Sequence, residues 1–293
     1  MGNKPISTGR ARCERAAALR EIDAKADALI ARLETELADK DLFSPIAELE
    51  ECPICFVPMP HDHGELTFMP CCGKTICSGC IHAHNKVART IDVPCEFCRT
   101  DAFATAQETA DAMQRLADGG SIEAVSALGD MYAAVAKGNL SGNVKVADPG
   151  RRALQLLLEA AERGHIFSVY ALAQLYNEGK VAKKDSARAE KLAAAAAKLG
   201  YLQAHLLLGT MYLEETPQQD DELCPRKSRN HYIFAARNGH SKAMTLMRIL
   251  RQSDQMIEDE FDEIEDAFKE SATWSETREA FAAYQRENGE YTG

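Results

Sequence analysis

Eight of the ten cysteines in this 293-residue chain fall in one short segment, as Cys52-x2-Cys55, Cys71-Cys72, Cys77-x2-Cys80 and Cys95-x2-Cys98. These pairs constrain the fold more than any other feature of the chain. A segment of that length, with few large apolar side chains, cannot close on a hydrophobic core of its own. Thiolate-metal sites can supply the missing folding free energy, and eight thiolates provide the donors for two four-coordinate zinc ions. No pair leaves an open position for water, so two structural zinc ions and no catalytic metal are expected. Disulfides would need an oxidising compartment, yet Met1 to Ser7 holds no apolar leader-like run. Three Cys-x2-Cys pairs beside an adjacent pair exceed the needs of one redox dithiol. Iron and sulfur could use the same ligands, but alternating pairs suit two single ions better.

The charge balance narrows the partners. The chain carries 45 Asp plus Glu against 34 Lys plus Arg, a formal net charge of -11. Phosphate binding needs concentrated cations, whereas the cysteine region offers only Lys74, Lys86 and Arg89, with Arg99 just beyond. Nucleic acid is therefore not the expected partner. Cysteine usage points to a reducing, intracellular location, cytoplasmic or nuclear, and the absence of an 18-residue apolar run argues against a membrane span. The Met1-Gly2-Asn3 start invites N-myristoylation, but the position that should hold Ser or Thr holds Ile6, and Ser7 comes one place late.

Four segments are expected. Residues 10–40 read as one amphipathic helix, because Leu19, Ile22, Ala26, Leu29, Leu33 and Leu37 recur at steps of three or four. Such a stripe needs a partner: the chain's own later helices, or a second copy, giving a homodimer through this helix. The cysteine-rich domain occupies residues 48–102. Residues 105–251 form helices rich in alanine, leucine and tyrosine, with an internal repeat. The stretch Ala153 to His165 is echoed by Ala189 to Tyr201 and, more weakly, by His231 to His240. Gly120, Gly164, Gly200 and Gly239 mark the same point in successive units, 44, 36 and 39 residues apart. Gly129, Gly209 and the alanines allow close helix approach, while Tyr176, Tyr212 and Tyr232 complete the repeat cores. The product is an alpha-solenoid of helical hairpins, with loops at 137–149 and 214–227. Residues 252–293 are an acidic helical cap and a frayed tail. Ile257, Phe261, Ile264 and Phe268 share one face among eight acidic residues between Asp254 and Asp266, and Trp274, Phe281 and Tyr284 extend the cap.

The eight ordered ligands over residues 52–98 resemble the RING finger, the cross-braced two-zinc module of ubiquitin ligases, and residues 117–251 resemble Sel-type, tetratricopeptide-related repeats. The RING resemblance implies that Cys52, Cys55, Cys77 and Cys80 hold one zinc and Cys71, Cys72, Cys95 and Cys98 the other. It departs from the common order where Lys74 stands in the place of a histidine. Either Cys71 and Cys72 are adjacent ligands, with Gly73 relieving the tight backbone, or His82 or His84 replaces one of them. His61 and His63 are read as solvated loop residues, and Cys13 and Cys224 as inert thiols.

The family further implies a binding catalyst without a nucleophile, one that orients a ubiquitin-charged conjugating enzyme. Ile54 corresponds to the apolar contact with that enzyme, Pro94 borders the second loop, and Arg99 matches the linchpin arginine that bridges ubiquitin and the enzyme. Glu96 stands where proline usually follows the seventh ligand, and Phe56 and Phe97 are read as packing residues. The partners implied are a ubiquitin-conjugating enzyme, ubiquitin and a protein recruited by the solenoid. The acidic balance favours a basic segment on that protein. The alternative is a zinc-stabilised interaction scaffold without catalysis.

Overall fold

The computed structural model describes residues 7–44, 46, 50–60, 63–88, 94–140, 144–215, 226–252 and 258–271. Helix α1 (Ser7–Glu36) precedes a small cysteine-rich module. The module holds an antiparallel hairpin of β1 (Leu66–Met69) and β2 (Lys74–Cys77), followed by α2 (Ser78–Ala88). Helices α3 (Ala106–Asp118), α4 (Ile122–Lys137), α5 (Pro149–Glu162), α6 (Ile166–Glu178), α7 (Ser186–Lys198), α8 (Leu202–Glu215), α9 (Arg226–Arg237), α10 (Ser241–Gln252) and α11 (Glu258–Glu270) complete the chain. The architecture is mainly helical, a cysteine-rich module followed by an alpha-solenoid. No helix among the described residues is long and apolar enough to cross a membrane.

The repeat has a backbone signature. Helices α3, α5, α7 and α9 each turn into the next helix through Gly120, Gly164, Gly200 or Gly239, whose φ values are +96, +90, +91 and +84°. The following residue donates its N–H to a carbonyl at the end of the first helix: Ser121 to Leu116, His165 to Ala160, Tyr201 to Ala196 and His240 to Ala235, at 2.9 to 3.1 Å. This left-handed termination satisfies otherwise orphaned carbonyls, and a side chain with a Cβ would be strained there.

Size complementarity sets the spacing between hairpins. Leu128, Leu172, Leu208 and Met247, at equivalent positions, are fully buried. Beside them, a Cβ at Gly129 would lie 3.0 Å from Leu157 Cγ, and one at Gly209 would lie 2.5 Å from Tyr232 Cε1. Leu157 and Tyr232 are themselves repeat-equivalent, so a bulky side chain of the next hairpin seats over each glycine. In α9 the pattern turns polar. Ser228 stands at the position of Ala153 and Ala189, and it donates to the carbonyl of Gly209 at 2.7 Å. His231 stands at the position of Leu156 and Leu192, with its Nδ1 2.9 Å from His205 Nδ1.

The unit of α9 and α10 departs from this pattern where α11 packs against it. Arg248 occupies the small-residue position and Arg251 the tyrosine position, and both reach α11. Arg248 donates to Glu265 at 3.2 Å, and Arg251 lies 4.5 Å over the Phe261 ring. Arg237 pairs with Glu263 at 3.4 Å and Arg229 with Glu260, while Phe261 and Ile264 are buried beneath. Asp254, Ile257, Trp274, Phe281, Tyr284 and residues 288–293 lie outside the described residues.

Helix α1 begins and ends earlier than the apolar periodicity predicts. Its stripe is used within the chain. Ile22, Ala26, Leu29, Ile30, Leu33 and Leu37 are buried, and the helix packs on α5 and α7. The segment after it also docks, since the Phe43 ring lies 5.1 to 5.5 Å from the rings of His205, His231 and Phe234.

Candidate metal centre

Two loops of the cysteine-rich module share one backbone geometry. In the first, Cys52 N–H donates to Val57 O at 2.9 Å and Phe56 N–H to Cys52 O at 2.8 Å. In the second, Cys95 N–H donates to Thr100 O at 2.9 Å and Arg99 N–H to Cys95 O at 3.0 Å. Phe56 and Arg99, each directly after a Cys-x2-Cys pair, hold φ of +56 and +58°. Each loop thereby presents two sulfurs on one side of a tight knuckle.

The hairpin supplies the other donors from its two ends. Met69 pairs with Lys74, which leaves Pro70, Cys71, Cys72 and Gly73 in the turn. Met69 O accepts from Cys72 N–H at 3.2 Å and Gly73 N–H at 2.8 Å, and Gly73 takes φ +72°. The left-handed glycine lets the turn bring two adjacent cysteines to the same cluster. Cys77 ends β2, and Cys80 lies in the first turn of α2. A Cβ at Gly73 would stand 3.6 Å from Leu116 of α3, so the turn also abuts the solenoid.

Two four-sulfur clusters result, Cys52, Cys55, Cys77 and Cys80 in one and Cys71, Cys72, Cys95 and Cys98 in the other, each with its sulfurs within 4.8 Å of one another. Alternate pairs along the chain enter alternate clusters, which is a cross-brace. Cys52 and Cys80 sulfurs are 3.9 Å apart, Cys55 and Cys77 3.9 Å, and Cys72 and Cys95 3.7 Å. A disulfide would require about 2 Å. Four thiolates placed tetrahedrally at ~2.3 Å from a zinc ion stand about 3.8 Å apart. The donor set therefore fits zinc at both clusters, and all eight sulfurs are free thiols.

The electrostatics of both clusters suit a cation. Burial, reinforced by neighbouring cysteines, pushes the Cys71 and Cys80 thiols up. At Cys52 burial opposes ionisation, but the N–H groups of Cys77, Cys55 and Ile54 prevail and hold it at about 7. Thr100 draws Cys98 down to about 6, with its hydroxyl oxygen 3.1 Å from the sulfur. Four crowded thiols cannot all ionise unaided, so metal binding must expel protons.

His82 and His84 belong to neither cluster. His84 Nε2 instead faces Glu96 Oε1 at 3.6 Å, joining α2 to the second knuckle. Lys74 is exposed at the start of β2. His63 begins a 3-10 turn, His63–Glu65, and His61 lies outside the described residues, as does Cys224. Ile54 is an exposed residue of the first knuckle, while exposed Pro94 and Arg99 flank the second. Phe56 and Phe97 correct the sequence reading: they are 72% and 37% exposed. The positive φ at Phe56 closes the knuckle with its ring outside, and the few apolar residues beneath, Ile76, Met59, Met69 and Ile81, pack around the first cluster without it. Sequence reasoning missed the β-hairpin and the cluster of His205, His231 and Phe43. Histidines at leucine positions of the repeat were the available signal for the latter.

The fold and site define a class of protein: a two-site cysteine cross-brace joined to a solenoid of helical hairpins. No protein-family model matches the chain. Over 58 residues it is 38% identical to the E3 ubiquitin-protein ligase GW2 of Oryza sativa subsp. indica, and equally to that of subsp. japonica. The match takes in 20% of this chain and spans 13% of the relative's length. Among solved structures, a Sel1 repeat protein from Oxalobacter formigenes aligns with TM-score 0.41 and 23% identity, over 56% of this chain and 64% of that one. A protective antigen of uropathogenic Escherichia coli with an SLR fold aligns with TM-score 0.40 and 19% identity, over 62% and 36%.

Proposed function

We propose that the chain is a RING-type ubiquitin ligase, with residues 48–102 as the RING domain, 105–251 as Sel-type repeats that recruit a protein partner, and 252–293 as the cap. The reading places it inside the cell, in cytoplasm or nucleus. One observation carries it: alternate cysteine pairs converge into two crossed clusters whose spacings suit zinc. The 58-residue similarity to a curated ubiquitin ligase supports the same reading. Zinc bound at both clusters would supply structure, holding the two knuckles at fixed separation across β2.

The chain's own groups act by position. Ile54 offers an apolar contact to a conjugating enzyme, with Pro94 beside the second knuckle completing the surface. Arg99 is exposed, and its planar guanidinium has donors enough to bridge ubiquitin and the enzyme. Restricting the ubiquitin thioester to a reactive orientation is an entropic gain that needs no nucleophile from this chain. The test is ubiquitin discharge from a panel of charged conjugating enzymes. The wild type should accelerate discharge with at least one enzyme, and Ile54→Ala and Arg99→Ala should each lose at least tenfold while retaining metal. A silent wild type with both metals bound would leave the second reading, an interaction scaffold. That reading is favoured by Glu96, which stands where ligases usually carry proline and turns toward His84.

A further inference from the structure

The segment that follows α1 docks where α8 meets α9, and that junction carries histidines where the other repeats carry apolar residues. His205 stands at the repeat position of Val125, Val169 and Met244, and His231 at that of Leu156 and Leu192, all of them buried. Stacking the hairpins needs only an apolar side chain at these places. The two exceptions coincide with the docked segment.

The imidazoles are 1% and 3% exposed, and their Nδ1 atoms lie 2.9 Å apart. At that distance one nitrogen donates and the other keeps a free lone pair. Protonating the acceptor would set two N–H groups against each other. Phe43 is the outermost member of the cluster: its ring is 39% exposed and lies 5.5 Å from His205 and 5.1 Å from His231. Leu42 and Ile46, on either side, pack against the solenoid core and the core beneath α11.

The charged groups around the pair are engaged elsewhere. Asp41 accepts from the Phe43 N–H at 2.8 Å, and Lys198 of α7 donates to the Leu37 carbonyl at 3.1 Å. Tyr212 of α8, 5.6 Å from His231, donates to Glu190 of α7 at 2.8 Å, with Lys227 of α9 5.4 Å over its ring. Arg229 and Arg237 of α9 reach α11. Burial, aided at His205 by His231, holds both imidazoles below the usual histidine range, and no carboxylate of the described residues offsets it.

We propose that Phe43 and the His205–His231 pair form a proton-sensitive latch: neutral imidazoles hold the segment between α1 and the first knuckle on the solenoid, and protonation releases it. The latch goes beyond the proposed function, since it acts whether or not the module engages a conjugating enzyme. The docked state keeps both histidines neutral, whereas the released state lets them titrate near their ordinary value of about 6.5. Docking is therefore fully stabilised above that pH and weakens as pH falls through it. From pH 7.5 to 5.5, each histidine set free raises the ratio of released to docked protein about tenfold.

The test places 4-fluorophenylalanine at position 43 of the full-length protein and follows it by fluorine NMR between pH 7.5 and 5.5, with helicity and zinc content monitored. The docked resonance should give way to a solvent-exposed one, their ratio changing at least tenfold while helicity holds. His205→Val with His231→Leu supplies the residues of the equivalent repeat positions, and this protein should keep the docked resonance throughout. It shares every zinc ligand with the wild type, so metal loss alone would move both proteins alike. A docked resonance that persists in the wild type at pH 5.5, a response that survives the double substitution, or release that coincides with loss of helicity would overturn the proposal. A second measurement needs no histidine variant: the imidazole C–H proton resonances of His205 and His231 should titrate with the midpoint of the fluorine signal, and separate midpoints would overturn it as well.

Discussion

Replacing Gly209 by alanine should destabilise the solenoid, against the ordinary preference of helices. An exposed mid-helix glycine-to-alanine change gains about 1 kcal/mol. Here the new Cβ would meet Tyr232 at 2.5 Å from Cε1, 2.9 Å from Cζ and 3.0 Å from Cδ1. Tyr232 is 5% exposed, and its hydroxyl lies 3.3 Å from Thr210 Oγ1, so the ring has no free space to enter. Overpacking of this kind costs about 1–3 kcal/mol, and with a rigid ring the upper end applies, leaving a net loss of about 1–2 kcal/mol. Urea unfolding followed by circular dichroism should show the midpoint lowered by roughly 0.5 M. Gly129→Ala should cost less, since its nearest neighbour is the Cγ of a leucine at 3.0 Å. Adding Tyr232→Leu to Gly209→Ala should recover stability, with a coupling of about 1 kcal/mol. A Gly209→Ala protein more stable than wild type, or strictly additive changes, would refute the reasoning that glycine sets the spacing between hairpins.

Other consequences concern titration and metal. Burial pushes the His205 and His231 imidazoles down from 6.5 to about 3 and about 4. The unfolded chain then binds more protons below pH 6.5. The stabilisation is complete above that pH and is lost as pH falls toward the folded values. At ~1.4 kcal/mol per unit for each histidine, lowering the pH from 6.5 to 5 should remove up to about 2 kcal/mol apiece. A His205→Leu, His231→Leu protein should show a flatter acid limb in the pH dependence of its urea midpoint. Cys95→Ser should open the cysteine-rich module to limited proteolysis while solenoid helicity stays intact, because the hairpins bury their own core. Simultaneous loss of both would show that the module and solenoid fold as one unit.

Much of the fold was legible because glycine and alanine leave local marks. Gly120, Gly164, Gly200 and Gly239 stand where a left-handed helix end is required, so their spacing revealed the hairpins before any packing was known. The ligand pairs were legible for the same reason, since tight knuckles need close cysteines. Adjacent Cys71 and Cys72 were harder to interpret, because only the Met69–Lys74 pairing shows that a four-residue turn presents both sulfurs. What stayed hidden depends on distant partners. Nothing local to Phe43 announces that its ring packs at a tilt against His205 and His231, and the apolar stripe of α1 could not state which helices it meets. Glu96 read as a departure from a surface contact, whereas it bridges to α2 through His84.

The most direct test is native mass spectrometry of the full chain purified without chelator. Two zinc ions per chain are expected, with Cys52→Ser and Cys95→Ser each weakening a different one, and all eight cysteines of the two clusters alkylated as free thiols after denaturation in chelator. A single zinc ion, no zinc on a folded protein, or disulfides linking these cysteines would contradict two crossed zinc sites.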